Sequence, residues 1–209
     1  MIILALDTCL NACSAAVVDG GHVLAWRSEV MARGHQERLA PLVRETMVEA
    51  GLPFDRLQRI AATVGPGSFT GLRVGIAFAK GLSSALSIPA IGVGVLEALA
   101  GEAEGLVAAV LDARREQVYL QIFDHGAPLM APDALSIGAA AARIAELTTG
   151  RALTLVGSGA PLLAEAAPGA RVLIPEGCDP RQVARLAAAR PPMPIRPLYL
   201  RAPDARLPG

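Results

Sequence analysis

The 209-residue chain opens twice. Ile3-Leu4-Ala5-Leu6-Asp7 leads through a turn to Ser14-Ala15-Ala16-Val17-Val18-Asp19 and the pair Gly20-Gly21. Ala108-Ala109-Val110-Leu111-Asp112 leads through a turn to Tyr119-Leu120-Gln121-Ile122-Phe123-Asp124 and the pair His125-Gly126. In both, one Asp ends the first apolar run and another stands twelve residues later. Short apolar runs between turn residues read as strands, and the closing pairs read as hairpin turns. All strand hairpins share some likeness, but the matching Asp positions at the head of each half favour a duplicated unit. Further strands are expected over 22–29, 60–64, 90–93, 153–156 and 172–174. Helices are expected over 36–50, 69–86, 96–100, 137–148, 160–165 and 180–189. Strands alternating with helices define an α/β protein.

A repeated strand–hairpin–strand–helix unit describes the duplicated actin/Hsp70-like ATPase fold, ribonuclease H-like in each half, with two lobes around a cleft. The expected division is 1–100 for the first lobe, 101–190 for the second and 191–209 for an extended tail, which carries six prolines in 19 residues. In such a fold the first turn of each lobe faces nucleotide phosphates, and small residues there let backbone N–H groups approach an anion. Asp7, Thr8 and Asn11 in the first turn and Asp112 in the second occupy these positions, but as degenerate versions. Leu10 is bulky, and Arg114, Arg115 and Glu116 fill the second turn without a glycine. Two arginines can pair with phosphate but give no backbone cradle. Gly157-Ser158-Gly159 is the one candidate for an adenine-binding loop, and a plain strand-to-helix turn is the reading preferred for it.

Residues 65–80 read GPGSFTGLRVGIAFAK. A P-loop is excluded, because Lys80 lies far down the expected helix and Gly81 follows it. Gly71, Gly75 and Ala79 recur every four residues as a smooth stripe. Each internal glycine costs about 1 kcal/mol of helix propensity, so another backbone is expected to approach closely. Periodicity leaves open whether it belongs to the same lobe or to a partner.

Nineteen basic and nineteen acidic residues cancel, so nothing in the net charge attracts nucleic acid. Asp7 interrupts the apolar start too early for a leader, and no apolar run is long enough to cross a bilayer. Cys9, Cys13 and Cys178 read as reduced thiols of a cytoplasmic protein. His22, His35 and His125 have no second histidine at ligand spacing, so no metal site is expected. Neither H-E-x-x-H nor G-x-S-x-G occurs, which removes the signatures of a metallopeptidase and a serine hydrolase.

The stretch GPGSFTGLRVGIAFAK resembles the signature of the TsaB (YeaZ) family. LALDTCLNACSAAVVD (4–19), GHQERLAPLV (34–43), DARREQVYL (112–120) and PLYLR (197–201) resemble it too, in order. The resemblance implies a two-lobed actin-like subunit without catalytic residues of its own. It implies pairing with the catalytic paralogue TsaD and work alongside the small ATPase TsaE in making N6-threonylcarbamoyladenosine beside the anticodon of tRNAs reading A-starting codons. It further implies a homodimer when the partner is absent, contact with tRNA only through the complex, and no tightly bound cofactor, with ATP or ADP at the partner interface left open. Where TsaD carries H-x-x-x-H, this chain has His35 and then Leu39. The implied pairing surface is the two helices of the first lobe, with Leu39, Val43, Met47, Gly71, Leu72, Gly75, Ile76 and Ala79 as its residues. On that basis Gly75→Leu is expected to disrupt pairing and leave the lobe folded. A stand-alone small-molecule kinase of the same fold is the alternative, with Asp7 or Asp112 as base.

Overall fold

The computed structural model describes residues 1–201. In the first lobe, β1 (Ile2–Asp7), β2 (Ala12–Asp19) and β3 (His22–Val30) form an antiparallel meander, and β4 (Arg59–Thr63) and β5 (Ala90–Val93) add in parallel, giving the order β3-β2-β1-β4-β5. Helices α1 (His35–Glu49), α2 (Phe69–Leu86) and α3 (Val95–Ala100) connect these strands or follow them. In the second lobe, β6 (Leu106–Arg114) and β7 (Gln117–Asp124) form the hairpin, β8 (Ala127–Pro128) and β9 (Asp133–Ser136) both pair with β7, and β10 (Leu153–Val156) and β11 (Arg171–Leu173) add in parallel to β6. The order β11-β10-β6-β7-β8 is the first sheet read from its other edge. The duplication seen in the two Asp patterns is therefore a duplication of topology. Asp7 and Asp112 end equivalent strands, and Asp19 and Asp124 close equivalent hairpins.

The paired Asp residues at the hairpin ends have surface work. Asp19 takes the terminal ammonium of Met1 at 3.0 Å, and Asp124 takes Arg151 at 2.8 Å. Helix α4 (Ile137–Thr148) starts on Ser136, whose Oγ accepts from the N–H of Ala139. The 160–165 helix shortens to α5 (Ala160–Leu163). Strands β8 and β9 escape sequence reading because two- and four-residue strands with exposed or half-buried side chains carry no hydrophobic period.

The division at 101–190 needs one correction. Helix α6 (Pro180–Ala188) leaves the second lobe and packs on β1 and β2 of the first. Val183, Ala184 and Ala187 belong to the same apolar core as Leu4, Leu6 and Ile60. The physical reason is the first sheet's second face: α1 and α2 cover one side, and without α6 much of the other would be left wet. Arg59 fixes the end of α6 by donating to the carbonyls of Ala187 at 2.5 Å and Arg190 at 2.9 Å. Residues 191–201 then run without helix or strand along the first lobe, as the prolines require. Ile195 is buried, and the N–H of Leu198 donates to Val64 O at 2.7 Å. The remainder of the expected tail, 202–209, lies outside the described residues. No helix among the described residues is long and apolar enough to cross a membrane.

Candidate functional site

A cavity of about 430 Å3 lies between the lobes, where the two equivalent turns face each other. Cys9, Leu10 and Asn11 line it from the β1–β2 turn, and Asp112, Ala113 and Arg114 from the β6–β7 turn. The sequence-predicted positions fare differently. Asp7 is 0% exposed and does not face the cavity. Its Oδ1 accepts from Thr63 Oγ1 at 2.6 Å and from the N–H of Cys9 at 3.1 Å, and its Oδ2 accepts from the N–H of Cys178 at 2.9 Å. Burial pushes its carboxyl above the usual carboxylate range against these hydrogen bonds. The crossing segment seals it: a Cβ on Gly177 would stand 2.6 Å from Ala12 Cβ and 3.3 Å from Asp7 Oδ2. Burial likewise pushes up the thiols of Cys9 and Cys178, and that of Cys13 to about 12, so all three sulfurs stay protonated and inert.

Thr8 is also withdrawn. Its hydroxyl donates to Gly71 O at 2.7 Å. Asn11 alone in the first turn is exposed, and its carbonyl accepts from the N–H of Met31 at 2.8 Å. Asp112 is half-buried; its Oδ1 accepts from the N–H of Arg114 at 2.7 Å, and its Oδ2 pairs with Arg114 Nη1 at 3.2 Å. Arg114, Arg115 and Glu116 all have left-handed backbone, with φ of 63°, 54° and 59°. Such a turn normally recruits Asn-Gly, and each non-glycine residue in it costs about 1 kcal/mol. This geometry was not legible in the sequence. Gly157 and Gly159 pack against the end of β6, where a Cβ on Gly159 would stand 2.8 Å from the carbonyl carbon of Leu111. That close packing accounts for both glycines without an adenine.

The smooth stripe of α2 faces inward. A Cβ at Gly71 would collide with Thr8 O, and one at Gly75 would stand 2.5 Å from Thr8 Oγ1. The backbone whose approach the glycines permit is the chain's own first turn. Leu39, Val43, Met47, Gly71, Leu72, Gly75, Ile76 and Ala79 are all buried within the lobe. They are therefore corrected from partner-facing to core residues, and Gly75→Leu is a change to the lobe's interior. What the two helices leave outside is a groove of about 560 Å3 lined by Gln36, Leu39, Ala40, Phe69, Thr70, Arg73, Val74, Ala77 and Phe78. Phe69 is 48% exposed, Arg73 stacks over its ring at 3.7 Å, and the Tyr199 ring lies 5.8 Å away. Leu39 in this lining belongs to the implied pairing set, whereas Phe69, Thr70, Arg73, Val74 and Ala77 were not singled out because they interleave with the glycines of α2, one helical face round. His22 and His125 are exposed, whereas His35 is buried at the start of α1.

Two matched sheets, a cleft between their first turns and a helix returning to the first lobe define the actin-like ATPase class. A ROK hexokinase from Thermus thermophilus shares this fold at 15% identity, with a TM-score of 0.51 over 90% of this chain and 98% of that one. The family model described as TsaD: tRNA N6-adenosine threonylcarbamoyltransferase matches residues 28–162. An uncharacterized protein of Mycobacterium tuberculosis is 36% identical over 206 residues, 98% of this chain and 93% of that one. The tRNA threonylcarbamoyladenosine biosynthesis protein TsaB of Escherichia coli is 39% identical over 124 residues, 57% of this chain and 53% of that protein. A Pseudomonas aeruginosa protein described as similar to peptidase YEAZ superposes with a TM-score of 0.85 at 30% identity, over 96% of this chain and 99% of that one. The chain belongs to the TsaB/YeaZ family.

Proposed function

We propose that the chain is a non-catalytic, cytoplasmic scaffold subunit of the machinery that forms N6-threonylcarbamoyladenosine beside the anticodon of tRNAs reading A-starting codons. It acts by pairing with a catalytic TsaD-like paralogue, works alongside a TsaE-like ATPase, and meets tRNA only within that complex. The observation that carries this reading is a contrast within the first lobe. The polar groups of its phosphate-type turn are consumed internally by Thr63, Cys178 and Gly71, while an apolar groove stays open on the outer side of α1 and α2. Apolar surface with aromatic and arginine anchors is what a protein partner buries. In the partner's absence a second copy occupies the same groove, and ATP or ADP binds, if at all, at the shared interface.

Co-expression with the TsaD-like paralogue, followed by pull-down and sedimentation, tests the pairing. Ala77 is exposed at the groove floor. Ala77→Glu is expected to abolish co-purification and leave the melting temperature within about 2 °C, because surface substitutions cost little stability. Undiminished pairing by that variant, or threonylcarbamoyl transfer to tRNA by the isolated chain, would refute the reading.

A further inference from the structure

Each sheet has two edges, and among the described residues all but one are short or covered. The β5 edge lies beneath the segment that follows α6. Arg190 Nη1 donates to Gly92 O at 2.6 Å, and the Ile195 side chain would meet a Cβ on Gly92 at 3.5 Å. In the second lobe the edge strands β11 and β8 are three and two residues long. The remaining edge is β3, nine residues long, which pairs with β2 alone among the described residues. A long open edge offers its outward N–H and C=O groups to another strand.

The direction of those groups follows from one hydrogen bond. The N–H of Met31, just past β3, turns inward to Asn11 O at 2.8 Å. Successive residues alternate along a strand. The backbone groups of Glu29 and Arg27 therefore turn inward as well, and those of Val30, Ser28 and Trp26 turn outward. The side chains are sorted by the same alternation. Arg27 and Glu29 lie on the α1 side, where Arg27 pairs with Glu49 at 2.7 Å and Glu29 with Arg38 at 2.5 Å. Trp26 lies on the α6 side, under the Arg181 guanidinium at 4.3 Å, and Ser28 and Val30 share that face. Trp26 is 44% exposed and Val30 71%. Arg27 Nε is buried without a hydrogen-bond acceptor among the described residues.

We propose that the β3 edge pairs antiparallel with β3 of a second copy, about a two-fold axis through Ser28, joining the two five-stranded sheets edge to edge. In that register Ser28 faces Ser28, Trp26 faces Val30 and Arg27 faces Glu29. The outward residues of the two strands then exchange both backbone hydrogen bonds at each pairing. On one side of the seam Trp26 rests on Val30 of the second copy, an aromatic and β-branched pair. On the other, Arg27 meets Glu29 of the second copy, an opposite-charge pair. That carboxylate also comes to the side chain whose Nε lacks an acceptor. Moving the axis one residue either way sets Arg27 against Arg27 or Glu29 against Glu29, so charge selects this register. Residues 26–30, Trp-Arg-Ser-Glu-Val, are their own complement when reversed, which is why the occupant is a second copy and not a foreign strand. The seam shares no residue with the groove on α1 and α2, so the inference is independent of the scaffold reading.

Sedimentation equilibrium of the isolated full chain tests it, in an Ala77→Glu background that takes the groove out of the assay. A strand seam is small, so a dimer with Kd on the order of 10–100 μM is expected. Val30→Pro deletes an outward amide that the lobe itself does not use, and proline is tolerated on an edge. It is expected to weaken the dimer about tenfold or more. Arg27→Glu and Glu29→Arg each set like charges across the seam and are each expected to weaken self-association about tenfold. Mixed in equal amounts, the two are expected to recover the dimer, because the acidic edge of one faces the basic edge of the other. A folding defect in either variant cannot produce that recovery. A chain that stays monomeric up to about 0.5 mM, a dimer indifferent to these changes, or a mixture that does not recover overturns the proposal. Pull-down of Val30→Pro, without the Ala77 change, by the TsaD-like paralogue reports the groove separately, so failure of one idea is not mistaken for failure of the other.

Discussion

The β1–β2 turn and the β6–β7 turn are copies of one design in opposite surroundings. Asp7 is sealed behind the crossing segment and takes three hydrogen bonds, while Asp112 sits half-buried at the cleft and holds a neighbouring arginine. A strand-end aspartate thus persists in both halves for unrelated reasons. In the first lobe it organises the interior, and in the second it shapes a strained hairpin. Position in a repeat predicts topology well and chemistry poorly.

The largest test of this contrast is a pair of matched truncations. Asp7→Ala strands two N–H groups and a hydroxyl in the core and is expected to cost about 3 kcal/mol or more. Asp112→Ala is expected to cost under about 1 kcal/mol, as read by denaturant unfolding of each variant. Equal losses would erase the distinction. Next in size is Gly75→Leu, which forces a side chain against Thr8 and is expected to cost about 3 kcal/mol. A melting temperature equal to wild type would return the glycine stripe to the outside.

Acid sharpens the comparison further. Burial raises the Asp7 carboxyl, so its ionisation opposes folding as pH climbs from the ordinary carboxylate range toward its folded value. The stability difference between wild type and Asp7→Asn, followed from pH 3.5 upward, at about the ordinary carboxylate value, should therefore turn against wild type as pH rises. The smallest effect lies at the surface of the same lobe. Hydrogen bonds from Arg38 hold Glu29 and Glu45 below the usual range. Their contribution is present above the ordinary carboxylate value and fades as pH falls through the lowered ones. Arg38→Met should therefore lower the neutral plateau slightly and converge with wild type as pH falls through the lowered values, flattening the acid limb of the melting curve.

Much of the architecture was legible before any coordinates. Strands β1, β2, β5 and β10 and helices α2 and α4 fall where the apolar runs and the turn residues between them place them. The site was less legible because period reports burial, not what does the burying. Gly71, Gly75 and Ala79 announced a close contact correctly, yet only three dimensions assign it to Thr8, a residue 63 positions earlier than Gly71. The groove residues Phe69, Arg73 and Ala77 carry no signature that separates a docking face from an ordinary wet one. His35 read as an unremarkable lone histidine because its missing hydrogen bond is a fact about neighbours, and neighbours are set by the fold.

Helix α6 sets a timetable. A ribosome that has released residues 1–100 has delivered every strand of the first sheet but not the helix that covers β1 and β2. Nor has it delivered Cys178, whose amide completes the shell around Asp7 from 171 residues away. Contacts so distant in sequence form late. The half that is translated first is therefore finished last, and until then its inner face is exposed apolar surface of the kind that favours aggregation.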